Sequence, residues 1–170
     1  VIALLEWNNP GTIGGLTAGG KVLASLFQSV TLRTAGFASF DQNTLRDVTK
    51  AVCDVLMFVG GSSGSTAGGV KTVTVGVLVL AAVGTARGRT HITAFKRTIP
   101  QSTVANAGSI ALLMLTLGAV GAGTIAVIDG VSFENAIYET ISALCTVGLT
   151  TGITSGLGLA SCLILIIFMF

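Results

Sequence analysis

Charge is the property that this sequence has least of. Only 9% of its 170 residues are charged, against about 25% in ordinary globular proteins. The stretches 98–128 and 140–170 contain no Asp, Glu, Lys, Arg or His. Each is longer than the roughly 20 helical residues that cross the hydrocarbon layer of a bilayer. The composition therefore excludes an ordinary soluble domain and predicts an all-α membrane protein with several crossings.

Side chains suited to catalysis or metal binding are also scarce. The one histidine, His91, falls in a basic loop, and the three cysteines show no metal-ligand or disulfide spacing. We interpret Cys53, Cys145 and Cys162 as small buried side chains. Because the sequence offers no acid–base pair and no ligand cluster, we predict neither enzyme activity nor a bound cofactor. The net charge of +2 does not indicate nucleic-acid binding.

The lengths of the apolar runs predict the order of the helices. Apolar residues open the sequence at 1–5 and close it at 163–170, so we expect a piece of a longer polypeptide whose first and last helices are cut. The run at 22–32 is too short to span a bilayer and suits a re-entrant helix. In chain order we predict a helix end at 1–7, a loop at 8–21, a re-entrant helix at 22–32, half-helices near 50–59 and 71–86, a full span at 102–128, a second short helix at 133–144 and a truncated span from about 155.

A glycine-rich interruption divides the long apolar stretch between residues 50 and 87. Five glycines occur within residues 60–69, and each glycine costs about 1 kcal/mol in a helix interior. A continuous helix over 50–87 would also be longer than about 50 Å. We therefore predict two half-helices joined by a non-helical loop at membrane depth. Such backbone is tolerated there only where protein buries it or where it lines a water-filled cavity.

The order of span, short helix, glycine-containing strand and span occurs twice. The basic segment 87–97 predicts a cytoplasmic loop and the acidic segment 129–139 an outer one, so both short helices enter from the outer face and return to it. Superposing Gly36 on Gly148 aligns Thr34 with Thr146. The predicted pair of segments is Thr34, Ala35, Gly36 and Phe37 in the first unit and Thr146, Val147, Gly148 and Leu149 in the second.

The Thr-x-Gly pattern after a short helix is typical of a cation filter. Rings of backbone carbonyls replace the hydration shell of a cation without a buried fixed charge. Glycine accepts the positive φ that such a strand needs, and the preceding helix directs its negative C-terminal end toward the cavity. One copy alone would fit a glycine-capped helix end. Two copies in equivalent positions favour a filter for a monovalent cation, above all potassium.

Three motifs, FQSVTLRTAGF at 27–37, MFVGGSSGSTAGGVK at 57–71 and TVGL at 146–149, together resemble the Trk/Ktr/HKT potassium transporter superfamily, most closely its Ktr-type membrane subunits. In that family, four membrane–pore–membrane units of one polypeptide surround a single pore. The resemblance implies that residues 1–90 form the third unit, 91–101 a cytoplasmic linker and 102–170 the fourth unit. It further implies potassium uptake by a multi-pass protein of the cell membrane, completed by the N-terminal half of the same polypeptide.

The resemblance also implies a gate and two partners. In the family, a glycine-rich interruption acts as an intramembrane gate beneath the filter, and members of this subtype form homodimers on a cytosolic nucleotide-binding ring. Because each segment has one glycine rather than the two of tetrameric potassium channels, we expect looser discrimination between potassium and sodium. The gating residues so implied are Gly60, Gly61, Ser62, Ser63, Gly64, Ser65, Thr66, Ala67, Gly68, Gly69 and Lys71.

Three ionisable residues near these segments are candidates for a function, because charge at membrane depth is costly. Lys71 either raises the barrier to cations until the loop moves, or it reaches the cytoplasmic interface or pairs with Asp54. We interpret Arg33 mainly as an anchor bonded to nearby carbonyls or acids, with direct steering of ions as the alternative.

A broken-helix secondary transporter, which couples sodium or protons to a small solute, is the main alternative function. It also places interrupted helices at the membrane midplane, but it does not predict two short helices that are each followed by Thr-x-Gly. A phosphate-binding loop is excluded because Val70 separates Gly69 from Lys71, whereas that motif needs Gly-Lys-Ser/Thr. A purely structural membrane subunit has no use for a glycine loop at membrane depth.

Overall fold

The computed structural model, which describes residues 1–62, 64, 67–88, 93–94 and 97–170, is mostly helical. Short 3₁₀ turns lie at Gln42–Thr44 and Ile153–Gly156. The order of the helices agrees with the order that the apolar runs predict, including two separate helices on either side of the glycine loop. The helices are α1 (Ile2–Glu6), α2 (Ala18–Thr31), α3 (Asp47–Phe58), α4 (Thr72–Ala86), α5 (Gln101–Asp129), α6 (Phe133–Leu144) and α7 (Leu159–Met169).

Helix α5 alone, among the described residues, is long and apolar enough to cross a membrane. It has 29 residues, its most apolar window has a mean hydropathy of 2.2, and only 22% of that window is buried. A helix that is apolar all round and largely uncovered suits contact with lipid. Its buried positions include Ala107, Gly118, Gly121 and Ala122, which are small enough to let neighbouring helices approach closely. The span predicted at 102–128 is therefore confirmed as a helix of spanning length.

Helix α6 lies at the centre of the fold and contacts α3, α5 and α7. On one side its Tyr138 belongs to an apolar cluster with Met57 of α3. On the other side its Ala143 belongs to a second cluster with Ile125 of α5 and Leu165 of α7. Burial of apolar surface on both sides holds α6 in place, and with it the segment that follows.

Helix α2 begins at Ala18 rather than at residue 22, so the predicted loop at 8–21 was too long at its C-terminal end. The side chain of Thr17 accepts a hydrogen bond from the backbone N–H of Gly20 at 3.3 Å. This N-cap satisfies a donor that the first turn would otherwise leave free. Gly19 and Gly20 have low helix propensity, which is why the pattern of residues indicated a loop there.

Two other helices begin at positions that differ from the prediction. Helix α3 begins at Asp47 rather than near residue 50, and its first turn contains that acidic residue, which is favourable at the positive end of the helix dipole. Helix α7 begins at Leu159 rather than near residue 155. The 3₁₀ turn Ile153–Gly156 occupies the intervening stretch.

A minimal β-ribbon is the one departure from an all-α chain in the described residues. Strands β1 (Thr93–Ala94) and β2 (Arg97–Thr98) pair antiparallel, with Thr93 opposite Thr98. Both fall in or beside the predicted linker 91–101, for which no strand was predicted. Residues 89–92, 95 and 96, including His91, lie outside the described residues. The division into units at 1–90 and 102–170 stays a prediction.

Candidate functional site

The two predicted filter segments contact each other at their glycines. A Cβ atom added at Gly36 would lie 2.4 Å from the carbonyl oxygen of Val147 and 3.7 Å from the Cα of Gly148. A Cβ atom added at Gly148 would lie 3.9 Å from the Cα of Gly36. The segments follow α2 and α6, which are far apart in the sequence. The fold brings them together so closely that any side chain at Gly36 would meet the backbone of the other segment.

Both segments share an unusual pattern of backbone dihedrals. In the first, φ is 66° at Thr34 and 76° at Gly36, and in the second it is 53° at Thr146 and 86° at Gly148. Thr34 and Thr146 are the two non-glycine residues with positive φ in the part of the chain that the structure describes. A left-handed conformation costs an L-residue roughly 1–2 kcal/mol. Strain repeated at matching positions points to a shared functional requirement, which the sequence pattern had indicated only for the glycines.

A hydroxyl group from the preceding helix holds the end of each segment. Thr31 of α2 donates through Oγ1 to the carbonyl oxygen of Phe37 at 2.7 Å and accepts from its N–H at 2.8 Å. Ser142 of α6 donates through Oγ to the carbonyl oxygen of Leu149 at 2.6 Å. In each segment the bonded residue directly follows the glycine. The carbonyls of Phe37 and Leu149 are thus directed to their own helices, which leaves the carbonyls before them as the better candidate ligands.

The side chains of the second segment alternate between the core and the exposed side. Val147 and Leu149 are buried in the apolar cluster shared with α3, whereas Thr146 and Gly148 are exposed. The first segment is less covered, since Ala35 is exposed and 69% of Phe37 is exposed. The second segment is therefore held by its side chains as well as by its hydroxyl contact.

The ends of the glycine loop are held together by backbone hydrogen bonds. The N–H of Gly60 donates to the carbonyl oxygen of Val70 at 3.0 Å, and the N–H of Val70 donates to that of Phe58 at 3.1 Å. This bridge joins the end of α3 to the start of α4. A Cβ atom at Gly60 would lie 2.1 Å from the carbonyl oxygen of Gly68, so this crossing of the chain requires glycine. Ser63, Ser65 and Thr66 of the predicted gating loop lie outside the described residues.

The loop is hydrogen-bonded to residues at the start of both segments. The backbone N–H of Gly68 donates to Oγ1 of Thr146 at 3.0 Å. The guanidinium group of Arg33, which directly precedes Thr34, donates through Nη1 to the carbonyl oxygen of Gly60 at 3.4 Å. This contact is the kind that the anchor interpretation of Arg33 predicts. Lys71 directly precedes α4, and its two interpretations stay predictions.

A buried amide connects the two helices that precede the segments. Oε1 of Gln42 accepts from Nε2 of Gln28 in α2 at 2.6 Å and from the hydroxyl of Tyr138 in α6 at 3.1 Å. Nε2 of Gln42 donates to the carbonyl oxygen of Phe40 at 2.8 Å. Gln28, Gln42 and Tyr138 are all buried. Because buried polar groups are costly unless they are paired, this network fixes α2 relative to α6.

Two buried carboxylates each hold the loop that follows a segment, and Glu6 also holds the loop before α2. Glu139 accepts from the N–H of Thr151 and from Oγ1 of Thr154, each at 2.9 Å. Glu6 accepts from Oγ1 of Thr12 at 2.9 Å and from the N–H of Arg46 at 3.2 Å. Neither residue had been selected from the sequence. The rule that an acid within an apolar run is a functional candidate, which selected Asp54, would also have selected them.

An ion pair joins α3 to α6 near the start of α3, at the end of that helix away from the glycine loop. Nζ of Lys50 lies 3.2 Å from Oε1 of Glu134 and donates to Oδ1 of Asn135 at 3.1 Å. Asp54, one turn further along α3, is buried, and its Oδ1 has no hydrogen-bond partner among the described residues. Lys50 therefore provides a charged link between the first half-helix and the central helix α6.

Comparison with known proteins assigns the chain to a family. The family model for TrkH, described as a cation transport protein, matches residues 1–170. The chain belongs to the TrkH family. Two relatives named Ktr system potassium uptake protein B are similar to it in sequence. The protein of Bacillus subtilis is 37% identical over 99% of this chain, and the protein of Vibrio alginolyticus is 38% identical over 98%. The potassium/sodium uptake protein NtpJ of Enterococcus hirae is 34% identical over 100%.

This TrkH-family chain spans less than two fifths of the length of those relatives. It covers 38% of the Bacillus protein, 36% of the Vibrio protein and 39% of the Enterococcus protein. The match extends over both glycine segments and the loop between α3 and α4.

Proposed function

We propose that this chain forms half of a potassium-conducting pathway, in which backbone carbonyls of the two glycine segments coordinate the ion. One observation carries the proposal: Gly36 and Gly148 meet at the ends of two separate helices, in segments with the same left-handed dihedrals. Membership of the TrkH family and the potassium uptake named for two relatives support potassium as the ion, and the potassium/sodium uptake named for NtpJ supports sodium as a second substrate.

The coordination chemistry follows from the contacts of the segments. A dehydrated cation needs several oxygen ligands, and carbonyl dipoles provide them without the cost of burying a fixed charge. The carbonyls of Phe37 and Leu149 are bonded to hydroxyls of their own helices. We therefore assign coordination to the carbonyls of residues 34–36 and 146–148. Helices α2 and α6 end just before the segments, so their negative C-terminal ends add a field that favours a cation.

The architecture we propose repeats one unit. In it, α1, α2 and the Gly36 segment are followed by the broken helix α3–α4, and α5, α6 and the Gly148 segment are followed by α7. Units 1–90 and 102–170 would be the third and fourth around one pore, and the N-terminal half of the polypeptide would supply the other two. A multi-pass position in the cell membrane, a homodimer and a cytosolic nucleotide-binding ring belong to the same proposal.

We assign gating to the loop between α3 and α4. Its hydrogen bonds to Thr146 and Arg33 bring it against the start of both segments, where it would obstruct an ion that has passed them. A broken helix would by itself also fit a secondary transporter. The contact between two Thr-x-Gly segments favours a pore, because a secondary transporter does not require two such segments in contact.

Growth rescue tests the proposal. The full-length parent protein, expressed in cells that lack potassium uptake, should restore growth at low potassium, whereas Gly36→Ser should not. The added Cβ would approach the Val147 carbonyl oxygen to 2.4 Å, and φ at this position is 76°. Gly15→Ser is the matched control, because a Cβ there meets nothing within 4 Å. Full rescue by Gly36→Ser at equal membrane abundance would contradict the proposal.

A further inference from the structure

The hydrogen bond between Gly68 and Thr146 links the glycine loop to the side chain of a filter residue. The loop donates its N–H to Oγ1 of Thr146 at 3.0 Å. Thr146 is exposed, and it is the first residue of its segment with a left-handed conformation. A threonine hydroxyl has two lone pairs and is a potential ligand for a cation. The same oxygen is therefore within reach of both the loop and an ion at the start of the segment.

We propose that docking of the loop and binding of potassium at Thr146 oppose each other, so that potassium itself helps to release the loop. This inference rests on the proposed function, because it requires the segments to coordinate potassium. It adds a regulatory role for the transported ion, which acts through one hydroxyl group.

The geometry of the contact explains the antagonism. A Cβ atom on Gly68 would lie only 2.6 Å from Oγ1 of Thr146 and 2.9 Å from the carbonyl oxygen of Cys145. The loop backbone is thus packed directly against two oxygens at the start of the segment, with no space between for an ion. The Gly68 N–H also points the positive end of its dipole at Oγ1, and a cation on that oxygen would be repelled by it.

Thermodynamic linkage makes the effect reciprocal. If the docked loop weakens potassium binding by some factor, potassium weakens docking by the same factor. A single net hydrogen bond changes such an equilibrium by about 2- to 10-fold. Loss of the Thr146 hydroxyl should therefore raise the ratio of undocked to docked loop by about 2- to 10-fold even without potassium.

The first segment provides a matched control. Thr34 has the same left-handed conformation as Thr146, but within the described ranges no hydrogen bond joins its side chain to the loop. The loop instead contacts this segment through Arg33 and Gly60. Removing the Thr34 hydroxyl should therefore leave the loop docked in the absence of potassium.

Hydrogen–deuterium exchange of the full-length parent protein in lipid nanodiscs tests the inference. Exchange of the peptide covering 59–71 is compared without potassium and at saturating potassium, with choline maintaining the ionic strength. Exchange should increase with potassium in the wild type and in Thr146→Ser, and without potassium Thr34→Val should exchange at the wild-type rate. In Thr146→Val it should already be about 2- to 10-fold faster without potassium and should respond little to the ion.

Calorimetric titration of potassium into the same samples separates this inference from the proposed function. If potassium binds but the wild-type loop exchanges at the same rate with and without it, the inference is wrong and the proposed function stands. A Thr146→Val protein that keeps the full response of the wild type would equally overturn it. If the wild type neither binds nor transports potassium, the proposed function itself is wrong. If Thr146→Val does not fold, the exchange of the wild-type loop with and without potassium still tests the inference.

Discussion

Glu139 accepts a hydrogen bond from the backbone N–H of Thr151 at 2.9 Å, from a buried position on the helix that precedes the Gly148 segment. The hydroxyls of Thr150 and Thr154 donate to the same carboxylate. The chain leaves the segment through these three threonines. Glu139 consequently holds the exit of the segment against the helix from which the segment begins.

Glu139→Ala is expected to destabilise the full-length protein by about 1–3 kcal/mol, because the buried N–H of Thr151 loses its acceptor. We also expect weaker preference for potassium over sodium, since the segment is held at one end only. Unfolding in detergent and ion competition in uptake assays measure the two effects. Asp47→Ala is the control, because Asp47 is an exposed acid whose removal costs only a helix-dipole interaction of about 0.3–1 kcal/mol. A variant as stable and selective as the wild type would show that the carboxylate has no positioning role.

Gln42→Leu should cost about 1–3 kcal/mol, because Gln28 and Tyr138 would keep buried polar groups without their shared partner. The exposed neighbour Asn43 provides the control Asn43→Leu. Chemical denaturation of the two variants makes the comparison. Equal stabilities would indicate that the link between α2 and α6 is dispensable.

Gly68→Ala is expected to increase potassium leak through the full-length protein. The new methyl group would approach the Thr146 oxygen to 2.6 Å, so the loop has to move away from the segment. Gly76→Ala in α4 is the matched substitution, because a Cβ there meets nothing within 4 Å. Flux into proteoliposomes measures the difference, and a Gly68→Ala protein as tightly closed as Gly76→Ala would argue against the gate.

The Lys50–Glu134 pair should show coupling of about 0.5–3 kcal/mol in a double-mutant cycle. Lys50→Met alone removes the positive partner of the Glu134 carboxylate and is expected to be worse than the double change Lys50→Met with Glu134→Leu. The side chain of Glu134 is 35% exposed, so solvent screening favours the lower part of that range. Additive effects in thermal unfolding would show that the pair does not stabilise the contact between α3 and α6.

Lys71→Gln should raise cation flux if the charge of Lys71 opposes ions near the loop. Flux in proteoliposomes at low and high ionic strength is the measurement, because a repulsive field is screened by salt. Lys21→Gln, in which the changed lysine lies beside Trp7, is the control. Unchanged or lower flux would favour the interpretation that Lys71 reaches the interface or forms a pair.

Much of the fold could be predicted because its strongest signals are local. The length of the charge-free run fixed the position of α5, and the glycines of residues 60–69 explained why α3 and α4 are separate helices. The alignment of Gly36 with Gly148 in the sequence also predicted which two segments share the same backbone conformation. Their mutual contact could be expected only through the family resemblance and the repeat.

Other features depend on contacts that a single sequence does not reveal. The early start of α2 depends on a cap by Thr17 that outweighs two adjacent glycines. The left-handed conformation of Thr34 and Thr146 contradicts their intrinsic preference, so contacts made on folding, and not the preference of the residues, maintain it. Glu6 and Gln42 have partners in distant parts of the chain, Arg46 and Tyr138, and no periodicity in the sequence indicates them.

The hydroxyl contacts of Thr31 and Ser142 have a consequence for biosynthesis. Each reaches a carbonyl only 6 or 7 positions further along the chain, and closing so short a loop costs little entropy. We therefore expect each hairpin of helix and segment to acquire its shape from its own contacts while the polypeptide is still being synthesised. The meeting of the two glycines is then a late docking of preformed pieces, and a single hairpin exchanged with that of a relative should retain its shape.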